Sequence, residues 1–148
     1  MKCQSLFFAL IASLLLSACA VDDGSDCFSG KWKVSQVDMQ STKLSPTIVE
    51  MTKLDYNSYQ YEFMDDNKLR ITSKLYELPM EGTWKFDKAT QELQWTIVNT
   101  SLIRVTETSK LVSCTEGEIV ISMRVPNDTA KDEMATLTMT WEKIAPQK

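Results

Sequence analysis

Histidine is absent from all 148 residues. That removes the commonest general base and every His-containing metal site. Ser-His-Asp and Cys-His arrangements are excluded, so catalysis would rest on carboxylates, lysine or tyrosine alone. Clustered positive charge is also missing. The chain carries a formal charge of −4 and no Lys/Arg run, which speaks against nucleic acid as a partner. Long apolar runs are missing too: the longest, Leu6 to Leu16, has eleven residues, against the roughly 20 that a membrane span needs.

What is present at the N-terminus is a processing signal. Lys2 supplies a positive start, and the apolar run has the length of a secretory h-region. Leu16-Ser17-Ala18-Cys19 follows and resembles the lipobox of bacterial lipoproteins, in which a thiol at the new N-terminus is acylated after cleavage before it. The resemblance implies a signal peptide at 1–18, palmitate-type lipidation of Cys19 and attachment to a membrane through that lipid. Acyl chains anchor because each buried methylene is worth about 0.8 kcal/mol. Residues 19–27 then form a short acidic tether. Its Asp22-Asp23 pair resembles a surface-export signal of Gram-negative lipoproteins; a solvated linker is the plain alternative. The expected location is the cell envelope, lipid-anchored at the outer membrane, on the surface if the export reading holds.

Four cysteines occur. Cys3 falls in the signal and Cys19 takes the lipid, which leaves Cys27 and Cys114 as a pair in an oxidising compartment. A disulfide between them would close a long loop, worth about 4–5 kcal/mol in the chain-entropy picture. Two free thiols are the alternative, because sequence alone does not give the approach of the two backbones.

From residue 31 onward, apolar and polar residues alternate with the period of half-buried strands. Eight strands are expected, at about 31–39, 57–64, 68–75, 80–87, 91–98, 101–112, 118–125 and 134–143. Leu69, Ile71 and Leu75 share the inner face of the third, Ile103 and Val105 that of the sixth. Asp65-Asp66-Asn67 and Glu116-Gly117 read as turns. Residues 45–54 break the alternation. Ser45 as N-cap and Pro46 at the first helical position suggest a short helix, placed where a lid over a barrel end would sit. Eight sequential strands with one apolar face predict an all-β, eight-stranded antiparallel up-and-down barrel over residues 28–148, with a β-sandwich as the alternative.

Gly30-Lys31-Trp32 opens the first strand, and Gly82-Thr83-Trp84 repeats the pattern in the fourth. A Gly-x-Trp at this position resembles lipocalins and the lipocalin-like domains of Gram-negative lipoproteins. In that family the Trp closes the barrel base beneath a basic residue from the end of the last strand; Lys143 is the nearest candidate here. The Thr-Asp-Tyr motif of true lipocalins is absent. The resemblance implies binding of a small apolar ligand inside the barrel. Tyr59, Tyr61, Phe63, Trp84, Trp95, Met123 and Met139 are the candidate lining, and the same residues would serve equally as core. A filled barrel would instead make the chain a non-catalytic interaction module for an envelope protein, either an accessory subunit or an inhibitor of a hydrolase.

No cofactor and no metal site are expected, and no catalytic set is assigned. Glu50, Asp55, Glu62, Asp65 and Asp66 gather around strand two, where paired carboxylates could do acid–base work, but Glu62 reads as solvent-facing and Asp65-Asp66 as a turn. Asp128-Thr129-Ala130 resembles a bacterial O-glycosylation site; a plain loop is the alternative.

Overall fold

The computed structural model describes residues 26–41, 44–77, 79–98, 103–126 and 134–146. The signal segment, Cys19, most of the acidic tether and Asp128-Thr129-Ala130 lie outside the described residues.

Eight antiparallel strands run in chain order around a closed barrel. They are β1 (Gly30–Gln40), β2 (Tyr59–Met64), β3 (Lys68–Ser73), β4 (Met80–Asp87), β5 (Glu92–Val98), β6 (Arg104–Cys114), β7 (Glu118–Pro126) and β8 (Met134–Lys143). Closure is made by β1 against β8, from Trp32 opposite Lys143 to Gln40 opposite Thr136. This pairing excludes the β-sandwich, since no sheet edge remains to make two layers. One helix, α1 (Pro46–Asn57), connects β1 to β2. Ser45 caps it: its Oγ accepts the Ile48 amide at 3.3 Å, and Pro46 supplies the preset φ of the first turn. The helix runs three residues beyond the expected end, to Asn57.

Alternation carries the fold, and its exceptions have local causes. In β1 the register shifts between Val34 and Gln36, so Ser35 and Gln36 are both exposed before Val37 and Met39 return to the interior. This β-bulge keeps one face apolar although the sequence skips a beat. In β6 a second shift between Leu111 and Ser113 leaves Val112 outside. Leu75 and Ile103, expected inside, are exposed at 61% and 59% because β3 ends at Ser73 and β6 starts at Arg104. The Asp65-Asp66-Asn67 turn holds Asp66 at φ 60° and Asn67 at φ 58°, a conformation these two residue types tolerate better than most.

The two barrel ends differ. At the base, where β1 starts and β8 ends, Phe28 plugs the opening, fully buried against Phe63, Trp84 and Phe86 at ring distances of 5.1 to 5.9 Å. The Cys27–Cys114 disulfide fastens this plug to the end of β6, with Cα atoms 6.3 Å apart. Trp32 Nε1 donates to the Phe28 carbonyl at 2.8 Å. Lys143 lies over the Trp32 ring, with Nζ 5.2 Å from its centroid, so the basic partner that the resemblance implied is in place as a lysine. Gly82 faces Ile97 so closely that a Cβ would strike the Thr96 carbonyl; only glycine lets β4 and β5 approach there.

Above the base the interior is aromatic. Tyr61 stacks on Trp141 at 4.5 Å, and Phe63, Trp84 and Trp95 complete the cluster. Each such ring takes roughly 150–250 Å² out of water. Two indole N–H groups find backbone acceptors: Trp32 on Phe28, and Trp84 on the Met64 carbonyl at 3.4 Å. Trp141 Nε1 is buried with no partner among the described residues.

Candidate functional site

At the opposite end α1 sits over the mouth, with Val49 and Tyr56 packed onto the core. Its outer face leaves Ile48, Met51 and Leu54 exposed at 46%, 65% and 66%. Below α1, the wall between β6 and β7 is incomplete. Their ladder runs from Ser109 opposite Met123 to Cys114 opposite Ile119. Nearer the mouth, Arg104–Thr108 pair with β5 and Arg124–Pro126 pair with β8. Among the described residues those two stretches do not bond to each other.

A cleft of about 1060 Å³ occupies this gap. Its inner lining is Tyr56 from α1 with Val105, Glu107, Leu111, Met123 and Val125 on the inward register of β6 and β7; Thr106, Thr108, Lys110 and Arg124 line it from outside. The cleft therefore passes through the sheet, and the volume counts space on both sides of it.

Glu107 is the one carboxylate on the inward face among the described residues. It stands opposite Trp95, is half-buried, and has the Trp95 indole and the Tyr56 hydroxyl as neighbouring donor groups. Burial holds its carboxyl above the ordinary carboxylate range, and the nearby Asp55 charge adds to that, while the two donors pull the other way. Desolvation likewise raises Tyr56 and Tyr61, with Glu107 contributing to both. Asp55, at the end of α1, accepts from Tyr59 through Oδ2 and from Tyr76 through Oδ1, both at 3.1 Å. Burial and Asp55 raise Tyr59, and Asp55 raises the exposed Tyr76. The mouth is thus a tyrosine and carboxylate network above an apolar floor.

The seven lining candidates fall into three places. Tyr61, Phe63, Trp84, Trp95 and Met139 are buried within the packed core. Tyr59 is half-buried at the mouth, bonded to Asp55. Met123 lines the cleft. The carboxylates considered around strand two do not converge. Glu62 pairs outside with Lys31 at 3.3 Å, Glu50 pairs with Lys53 at 3.1 Å, and Asp65 and Asp66 sit in the turn after β2, at the base end and far from Asp55. Sequence reading missed Glu107. The signal was there: continuing the Ile103, Val105 alternation places Glu107 and Ser109 on the inner face.

A closed up-and-down barrel of eight strands, plugged at the base under a Gly-x-Trp and capped by one helix at the mouth, is a lipocalin-like fold. No protein-family model and no curated protein matches the chain. Among solved structures, LTBP1 in complex with leukotriene C4 is similar, with TM-score 0.55 and 10% identity, covering 84% of this chain and 71% of that one. A lipocalin-like protein from Bacteroides uniformis aligns with TM-score 0.48 and 12% identity, over 80% of this chain and 99% of its own. The first likeness establishes a shared fold and nothing finer.

Proposed function

We propose that this chain is a lipid-anchored lipoprotein of the cell envelope whose barrel binds a small, mainly apolar molecule through the β6–β7 cleft. The cleft carries the reading: Val105, Leu111, Met123 and Val125 form an apolar inner wall in a barrel otherwise packed with side chains. Ligand sites have this character, apolar with a few placed polar groups. The similar LTBP1 structure holds leukotriene C4, which supports the same use of the fold. Anchoring rests on the lipobox at Cys19. Cys27 follows eight residues later, a tether of at most about 29 Å. Because Cys114 pins Cys27 to the base, the lipid keeps the base nearest the membrane and leaves the mouth and cleft to the aqueous side.

Binding of N-phenyl-1-naphthylamine, a neutral apolar fluorophore, tests this. The wild-type chain is expected to bind it with a blue-shifted emission. Met123→Trp, which fills the cleft from the inside, is expected to weaken binding at least tenfold. Equal binding by both, or none by the wild type, contradicts the reading. Function would then move to the outer surface, beginning with Ile48, Met51 and Leu54 on α1.

A further inference from the structure

The chemistry of the cleft narrows the ligand class. We propose that the molecule held there is amphipathic, with a cationic amine set against Glu107 and an apolar body along Val105, Leu111, Met123 and Val125. This rests on the cleft being a ligand site.

A carboxylate offers about four acceptor positions. The neighbouring donors are two at most, Tyr56 and Trp95, and the group lines the cleft. Among the described residues its charge has no partner of opposite sign inside the barrel. Every described lysine and arginine is exposed except Lys53, which is half-buried on α1 and paired with Glu50. The other charge acting on Glu107 is that of Asp55, of the same sign. Even half-buried, a charge without a counter-ion is costly, and a ligand ammonium would supply one. The surroundings suit a cation further: Tyr56 lines the same cleft as Glu107 and Trp95 stands across the ladder from it, and aromatic faces attract cations. Lys110 and Arg124 line the outer part of the cleft, where they are exposed. Solvent screens them there, so they do not decide the sign of what lies inside.

The groups facing Glu107 are Asp55 and Tyr56 from α1, Tyr61 from β2, Trp95 from β5 and Ser109 on its own strand, with Lys110 and Arg124 at the rim. The tyrosines are all raised and stay neutral near pH 7. Glu107, whose carboxyl burial raises, is the group whose charge the pH dependence follows. Affinity for an amine is therefore expected to fall as pH drops toward the ordinary carboxylate value of 4.5.

Isothermal titration of the full chain with decylammonium, decanol and decanoate separates the outcomes, because the three share one apolar body. At pH 7 decylammonium is expected to bind roughly ten- to a hundredfold tighter than decanol, the range a charged hydrogen bond supplies, with decanoate weakest. Glu107→Gln, which keeps the shape and one accepting oxygen but removes the charge, is expected to erase the preference for decylammonium and leave decanol unchanged. Equal binding of decylammonium and decanol, a preference for decanoate, or a preference that survives Glu107→Gln overturns the amine proposal while leaving a ligand site standing. Binding of none of the three overturns the ligand site itself.

Discussion

Glu107 stands directly across from Trp95 in the β5–β6 ladder, which sets a carboxylate beside an indole on the inner face of the barrel. The pair marks a level in the barrel interior. Toward the base from it, rings pack on rings. Toward the mouth, polar groups gather and the wall between β6 and β7 opens.

The raised Glu107 acid makes stability depend on pH. A carboxyl whose folded value is raised favours the native state fully below its ordinary value of 4.5. That contribution is lost as pH rises through the folded value. Glu107→Gln removes the titration. The Tm of the variant minus that of the wild type is expected to grow more positive from about pH 4.5 upward until Glu107 is fully ionised. Melting curves in the absence of ligand check it; a difference that stays constant with pH would count against a buried, titrating Glu107.

The disulfide spans 87 residues of sequence. In the chain-entropy model this is worth about 4–5 kcal/mol. The double variant Cys27→Ser, Cys114→Ser is expected to unfold at a clearly lower urea midpoint than the wild type, with reductant lowering the wild type to match. Reductant that leaves the wild-type midpoint unchanged would refute the linkage.

Gly82→Ala tests the close approach of β4 and β5. The new Cβ meets the Thr96 carbonyl and the Ile97 Cα, backbone atoms that cannot rotate away. Overpacking of this kind costs about 1–3 kcal/mol or more. Gly117→Ala, where nothing lies within 4 Å, is the control and is expected to stay within about 0.5 kcal/mol by chemical denaturation.

Lys143 over Trp32 is an exposed cation–π contact, worth about 0.5–1 kcal/mol. Lys143→Gln is expected to lose that amount, and Lys143→Arg to keep it. Equal losses in both variants would show that the lysine stem, and not its charge, covers the indole.

The anchor has its own test. Cys19→Ser is expected to abolish palmitate labelling and to release the chain from membranes or leave its precursor uncleaved. Normal labelling with unchanged membrane partition would defeat the lipoprotein reading.

Strand count, order and the position of α1 were legible because period-2 alternation reports directly on a half-buried sheet. Trp32 and Lys143 were legible through resemblance, since a ring at the start of β1 and a cation at the end of β8 become neighbours only when the barrel closes. Strand ends were less so: Leu75 and Ile103 continue an apolar register past the last ladder bond, and register alone does not say where pairing stops. The β1 bulge at Ser35 was hidden for a similar reason, as an extra residue looks like a lapse in alternation until its partner strand is known. Core and lining could not be separated, because Trp95 and Met123 occupy equivalent inward positions. What distinguishes them is that β6 and β7 part above Ser109 and Met123. Glu107 went unremarked because a single charged residue within Thr106-Glu107-Thr108 looks solvent-facing unless the inward register is counted through it.

The most direct test of the central claim is native mass spectrometry of the full processed chain, released gently from its own envelope. The account predicts added mass that leaves on denaturation, ionises as an amine, and is missing from Met123→Trp prepared alongside. A bare chain in both preparations, with the disulfide formed, would contradict a ligand-binding barrel.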